Sequence, residues 1–133
     1  MSELEAGIVG SDPALLTTFY ERALGFEVVD RLELDAFGLV LKLRRGAARI
    51  KLFFPQPPAS QRVEAEPWQD CAGWRYAALY LESPEALQGI VAAVDAAGGS
   101  VLLEPSSHRP GATVAVVRDP EGNVWELLAE VAS

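Results

Sequence analysis

Several residue types are scarce in this sequence, and each scarcity narrows what the protein can do. The only cysteine is Cys71, so no disulfide can form within the chain, and the only histidine is His108, so a metal site built from several imidazoles is excluded. No apolar run approaches the ~20 residues that a membrane-spanning helix needs. The acidic N-terminal residues do not match a secretory signal. We therefore expect a cytoplasmic protein that makes no contact with a membrane.

Basic charge is also scarce. The chain has 19 acidic and 11 basic side chains, for a net charge of −8, and its longest basic run is the pair Arg44-Arg45. A surface of this sign repels phosphate backbones and anionic lipid headgroups. We therefore predict that nucleic acid is not a partner, and that a neutral or cationic small molecule is easier to accommodate.

What the sequence does contain is a pattern of apolar segments typical of a strand–helix–strand unit. Asp12-Pro13 predicts a helix N-cap followed by proline at the first helical position, and Gly25 predicts the end of that helix. Around this helix, segments of strand length follow one another, with a period of two in the third of them. The predicted strands of this first unit are 4–9, 26–34, 37–44 and 49–54.

The same pattern occurs a second time. Ser83-Pro84 repeats the helix cap, and Pro13 and Leu16 correspond to Pro84 and Leu87 at one constant offset. The predicted strands of the second unit are 74–81, 100–104, 113–118 and 124–130, and His108 falls in the loop before Gly111. The sequence thus predicts a single α+β domain, 1–133, of two tandem βαβββ modules. Module one is 1–54, module two is 73–133, and the proline-rich segment 55–72 is an irregular connector.

Two segments of the chain resemble a known family. FYERALGFEVV (19–29) is similar to the first-helix signature of the vicinal oxygen chelate superfamily, which includes glyoxalases, bleomycin resistance proteins and extradiol dioxygenases. VRDPEGNVWEL (117–127) is similar to its closing hairpin. The resemblance implies the glyoxalase/bleomycin-resistance fold, in which each sheet curls into half of a cup with its helix outside. It also implies a homodimer, and leaves open whether the cup forms within one chain or between two.

The resemblance further implies four positions at which the family's enzymes hold a divalent metal. By position these fall on Glu5, Lys51, Tyr76 and Glu126. Lys51 would have to lose its proton to act as a ligand, and a neutral tyrosine is a poor one. We therefore predict no metal ligand and no cofactor, with the Lys51 ammonium lying between the two carboxylates instead. A divalent ion bound by Glu5 and Glu126 is the alternative.

Strand alternation predicts which other side chains line the cup. Counting from Lys51, Tyr76 and Glu126, aromatic residues fall on the same face, and Lys42 can enter the cup from its own strand. An aromatic concavity with a few charges suits a flat organic molecule. The alternative is that the aromatic side chains fill the cup themselves or lie in a dimer interface. The predicted ligand-binding residues are Glu5, Lys51, Phe53, Trp74, Tyr76, Tyr80 and Glu126.

Three functions are consistent with this pattern. The first is a metal-free protein that encloses a small organic ligand, aromatic or cationic, as the resemblance to antibiotic-sequestering members implies. The second is an enzyme of the lyase, isomerase or dioxygenase type, in which Glu126 is the general base, Lys51 stabilises negative charge and Tyr76 supplies a proton. The third is a scaffold or regulatory subunit whose cup is filled by its own side chains.

Overall fold

The chain forms two four-stranded sheets, each with one helix, and a computed structural model describes residues 2–62 and 67–131. The first unit consists of β1 (Ala6–Val9), α1 (Pro13–Arg22), β2 (Glu27–Glu33), β3 (Gly38–Arg45) and β4 (Ala48–Pro55). The second consists of β5 (Tyr76–Leu81), α2 (Pro84–Val94), β6 (Ser100–Arg109), β7 (Ala112–Arg118) and β8 (Val124–Glu130). The strand orders β1-β4-β3-β2 and β5-β8-β7-β6 are equivalent, with parallel outer pairs β1–β4 and β5–β8. The predicted tandem βαβββ arrangement is confirmed.

Both helices begin where the local sequence indicates. The side chain of Asp12 accepts a hydrogen bond from the backbone N–H of Leu15 at 3.1 Å, and Ser83 Oγ accepts one from Ala86 at 3.0 Å. Each cap satisfies a backbone donor that has no partner within the helix. After α1 the chain turns at Gly25 with a φ of 72°, a conformation that favours glycine. Among the described residues, no helix is long and apolar enough to cross a membrane.

Three sequence-based assignments differ from the structure. Strand β6 continues to Arg109 rather than ending at residue 104, so the backbone of His108 lies in a strand and not in a loop. The reason is that the hairpin closes tightly between Arg109 and Ala112, and shifts of register absorb the irregular stretch around Pro105. The connector contains a short 3₁₀ turn, Trp68–Asp70, and β5 begins at Tyr76 rather than at residue 74. The connector residues 63–66 and the side chain of His108 lie outside the described part.

The two units share one hydrophobic core. Side chains from α1 and α2 and from the helix-facing side of both sheets form a single cluster. Its fully buried members include Leu16, Ile50 and Leu52 from the first unit, and Leu87 and Leu127 from the second. Because burial is continuous across the junction, the two units of one chain pack as one body.

A buried hydrogen-bond network joins α1 to the second unit. The Tyr20 hydroxyl donates to Asp119 Oδ2 at 2.6 Å, and the Trp125 indole N–H donates to the Tyr20 oxygen at 2.9 Å. Tyr20 is fully buried and Asp119 is 3% exposed. Burial, reinforced by the negative charge of Asp119, raises the pKa of the Tyr20 phenol well above its usual value, so the phenol stays protonated and donates.

A second contact between the units lies at the surface end of this network. Glu121, in the turn between β7 and β8, accepts hydrogen bonds from the backbone N–H and the hydroxyl of Ser11 at 2.9 and 2.8 Å. It also accepts one from the backbone N–H of Asp12 at 3.0 Å. Its side chain is only 8% exposed. The carboxylate therefore fixes the β1–α1 loop to the second unit and holds the two sheets in a defined relation.

Candidate functional site

The candidate site lies on the face of each sheet that points away from the helices, here called the cup face. In the first sheet Ile50 and Leu52 point into the core, so Lys51 and Phe53, which alternate with them, lie on the cup face. In the second sheet Leu79 and Leu127 point into the core. The residues that alternate with these lie on the cup face, and they include Tyr76, Tyr80 and Glu126.

An ion pair lies on the cup face of the first sheet. The Lys51 ammonium is 3.2 Å from Glu5 Oε1, so the predicted contact between this lysine and one of the two acids is present. The pairing follows from the parallel register of β1 and β4, in which Gly7 lies opposite Lys51. Glu5 is two residues before Gly7, so its side chain is on the same side of the sheet as that of Lys51. The Lys51 side chain is 43% exposed and that of Glu5 is 22% exposed. The pair is thus screened by water more than a buried cluster would be.

Tyr76 and Glu126 lie on the second sheet, and neither is bonded to this ion pair. Tyr76 is 50% exposed, and its ring packs edge-on against Trp68 with the ring centres 5.2 Å apart. Glu126 is half-buried in the middle of β8, opposite Ala78 and Val116. Within residues 2–62 and 67–131, its carboxylate has no hydrogen bond or ion pair. The structure joins Glu5 to Lys51, and within its described part Glu126 is a carboxylate without a partner.

The predicted aromatic residues differ in how deeply they lie on the cup face. Phe53 is half-buried beside Val40, which is 7% exposed, and Tyr80 is 67% exposed. Trp74 is not on a strand, because it precedes the first residue of β5, and 98% of it is exposed. An indole in that position can contact a ligand only from the rim.

A cleft of about 370 Å³ lies between β1 and β5, which are the edge strands of the two sheets. Sequence reasoning missed Arg62 and Glu121 beside this cleft, because these residues lie in loops and not on strands. The residues lining it include Val9, Arg62, Trp74, Tyr76, Glu121 and Val124. The turn motif that contains Glu121 was the available signal, since it places this acid next to the last strand. Most of the cleft wall is apolar or backbone, and Glu121 is already engaged by Ser11 and Asp12.

Comparison with known proteins identifies the family. The profile of the Glyoxalase/Bleomycin resistance protein/Dioxygenase superfamily matches residues 4–127. The chain belongs to this superfamily. No curated protein matches it at a significant level.

Solved structures of the superfamily have the same fold. A glyoxalase/bleomycin resistance protein/dioxygenase domain from Frankia sp. EAN1pec superposes with a TM-score of 0.81 at 14% identity, covering 100% of this chain and 95% of that one. A glyoxalase/bleomycin resistance protein from Albidiferax ferrireducens T118 has a TM-score of 0.69 at 22% identity, with 96% and 97% covered. Glyoxalase I from Zea mays has a TM-score of 0.77 at 17% identity, and the match covers 98% of this chain and 45% of that one.

The residues of this superfamily member do not fit the divalent metal that its enzymes hold. The second of the four family positions carries an ammonium, which offers no lone pair, and this ammonium occupies a carboxylate oxygen of Glu5, the first position. The third position, Tyr76, offers a neutral phenol. Among the described residues, no three His, Cys, Asp or Glu side chains are grouped closely enough to hold an ion. In the described part of the chain, the donor set is therefore one unpaired carboxylate, Glu126, and one paired carboxylate, Glu5.

Proposed function

We propose that this superfamily member is a metal-free binding protein that holds a small organic ligand on the cup face. The observation that supports the proposal is the ion pair between Lys51 and Glu5, 3.2 Å long, at positions where the family's enzymes have metal ligands. An ammonium at this place provides the positive charge that the metal provides in those enzymes. It can orient a ligand by hydrogen bonds, but it cannot bind a substrate oxygen as a Lewis acid.

The shape of the cup face also supports a ligand with a flat apolar part. Phe53 and Val40 form an apolar floor in the first sheet, and Tyr76 and Tyr80 place exposed rings on the second. Aromatic rings bury a large area with few rotatable bonds, so they bind flat molecules at a low cost in side-chain entropy. We expect aromatic stacking to supply most of the affinity, and the charged groups to select the orientation.

The test is metal analysis combined with one pair of variants. Purified protein is expected to contain no stoichiometric divalent metal, and chelator is expected to leave its melting temperature unchanged. Lys51→Glu replaces the ammonium with a second carboxylate beside Glu5, so Mn²⁺ is expected to raise its melting temperature. Lys51→Gln is the matched control, because it removes the charge without adding a ligand. One tightly bound ion per wild-type chain would refute the proposal.

A catalytic function is the second candidate, and one observation favours it. Glu126 is a half-buried carboxylate that has no partner among the described residues, so its oxygens are available to accept a proton from a bound substrate. Lys51 would then stabilise developing negative charge, and Tyr76 would supply a proton, in a lyase-, isomerase- or dioxygenase-type reaction. Turnover of a bound ligand that is abolished in Glu126→Gln, with binding retained, would establish this function in place of simple binding.

A further inference from the structure

The chain contains only two lysines, and the structure places them side by side. Lys42 on β3 and Lys51 on β4 are direct partners in the antiparallel register. Both alternate with core residues, since Leu41, Leu43 and Leu52 point toward the helices, so both lysines lie on the cup face. Directly opposed side chains have Cβ atoms about 5 Å apart. In a protein of net charge −8, both lysine ammonium groups thus lie at one point of the candidate site.

Two like charges in direct opposition destabilise a sheet unless something between them is negative. Glu5 is bonded to Lys51 alone. Lys42 is half-buried, and within the described residues it has no ion pair or hydrogen bond. Asp30 is its cross-strand neighbour on β2, but the Asp30 carboxylate accepts a hydrogen bond from the backbone of Arg31 and lies beyond ion-pair distance of Lys42. The acids among residues 2–62 and 67–131 therefore leave this pair with one positive charge that no ion pair compensates.

The surroundings of the pair indicate what kind of molecule would supply the missing negative charge. Two residues further along the same strands, Val40 lies opposite Phe53 on the same face, so an apolar floor is adjacent to the two ammonium groups. The combination suits a molecule with an anionic head and an apolar body.

We propose that the ligand of this protein is an organic anion, whose carboxylate or phosphate group binds between Lys42 and Lys51 and whose apolar part lies on Phe53 and Val40. The inference rests on the proposed binding function and adds that the ligand is negatively charged. It favours an anion over the cationic ligand that the overall negative charge of the chain suggested, because local charge at the site outweighs the screened charge of a distant surface.

The two lysines can be labelled selectively, so ligand binding can be followed at their own amines by NMR. Reductive methylation with ¹³C-formaldehyde keeps the positive charge of an amine and labels only Lys42, Lys51 and the N-terminal amine, which gives three resolved NMR signals. Benzoate, benzamide and benzylamine are the test compounds, since they share a ring and differ in charge. Inorganic phosphate is titrated separately to test the anionic head without an apolar body. Benzoate is expected to shift both lysine signals in a saturable way at concentrations where benzamide and benzylamine do not.

A pair of variants tests the geometry. Lys42→Gln removes one of two charge-assisted contacts, so benzoate affinity, followed on the Lys51 signal, is expected to fall about tenfold or more. Arg22→Gln is the matched control, because it removes an exposed cation from α1 and is expected to leave the affinity unchanged. Asp30→Asn removes the nearest competing carboxylate, so it is expected to strengthen benzoate binding or leave it unchanged. Weaker binding in Asp30→Asn would mean that Asp30 supports the benzoate site and does not compete with the anion for Lys42, and would overturn the inference.

The remaining outcomes separate this inference from the proposed function. If benzamide or benzylamine shifts the lysine signals as strongly as benzoate, the cup binds organic molecules without preference for an anion. The inference is then wrong and the binding function stands. If phosphate and benzoate bind equally well, the site is selective for an anion but uses no apolar floor, and the organic part of the inference is overturned. If no compound of any charge shifts the signals or raises the melting temperature, both the inference and the proposed function are wrong.

Discussion

The substitution Tyr20→Phe tests the buried network that joins the two units. It removes one oxygen and no carbon, so packing around the ring is retained. Asp119 loses a 2.6 Å hydrogen bond to its Oδ2 atom but keeps the one from the Asn123 side chain. It also keeps two backbone donors on Oδ1, from Glu121 and Asn123. The Trp125 indole N–H, in contrast, loses the acceptor that it has in the wild type.

The expected loss of stability follows from these two changes. A hydrogen bond to a charged group contributes about 1.5–3 kcal/mol, and a buried donor without an acceptor costs about 1–3 kcal/mol. Because Asp119 keeps three other donors, the two effects do not add in full, and we expect a loss of about 2–4 kcal/mol. With a urea dependence of about 2 kcal/mol/M, this shifts the unfolding midpoint by roughly 1–2 M.

Urea unfolding followed by far-UV circular dichroism, at one fixed protein concentration, measures this shift. Tyr80→Phe is the matched control, because its ring is 67% exposed and its hydroxyl has no hydrogen bond among the described residues, so a change within about 0.5 kcal/mol is expected. A loss below about 1 kcal/mol in Tyr20→Phe would refute the reasoning.

The raised pKa of Tyr20 adds a pH dependence whose sign can be stated. The phenol ionises near pH 10 in the unfolded chain and at higher pH in the folded one, so above about pH 10 the folded state holds the extra proton. Its contribution to stability is complete below pH 10 and is lost as pH rises further. The difference in stability between the wild type and Tyr20→Phe should therefore shrink in this alkaline range. A constant difference would mean that Tyr20 ionises normally.

Three further predictions concern other contacts. Glu121→Ala removes the acceptors for Ser11 and Asp12, so it should cost about 1–3 kcal/mol in urea unfolding, and Glu121→Gln, which keeps one oxygen acceptor, should cost less. Lys51→Ala should cost only about 0.5–1 kcal/mol, because the pair with Glu5 is partly exposed, and a larger loss would indicate a buried cluster. Light scattering should give about twice the chain mass of 14.3 kDa, since exposed apolar residues such as Trp74 and Tyr80 suit a homodimer interface. A monomer at micromolar concentration would rule the dimer out.

The parts of the fold that could be predicted from the sequence depend on local chemistry. Asp12-Pro13 and Ser83-Pro84 identify helix starts because cap and helix lie within one turn of chain. The length of β6 could not be predicted, since Pro105 interrupts the alternating pattern and only pairing with β7, through several register shifts, shows that the strand continues. The hydrogen bond of Tyr20 could not be predicted either, since the partner of its hydroxyl lies 99 positions away and is set by the packing of the two units.

The candidate site could be predicted in part for the same reason. Alternation was enough to place Lys51 on the cup face, and family position was enough to pair it with Glu5. The Lys42–Lys51 register could have been derived as well, because the tight turn at Gly46 and Ala47 pairs Arg45 with Ala48 and so fixes every later pair of that hairpin. The relation of Glu126 to these residues could not be derived, since it lies on the other sheet and depends on how the two sheets are set against each other.

The residues that identify the family and the residues that would bind the ligand are different ones, so the family is easy to recognise while the ligand is not. The residues that carry the resemblance serve the scaffold: Phe19 and Tyr20 are fully buried, and Asp119 and Glu121 hold the closing turn against α1. The cup-face residues lie at the alternate strand positions, whose side chains leave the core and so can change without disturbing it. Lys51 is such a position, and its ammonium pairs with Glu5 within an intact fold. The chemistry of this protein must therefore be inferred from its cup-face residues, and the two opposed lysines are the strongest indication that they offer.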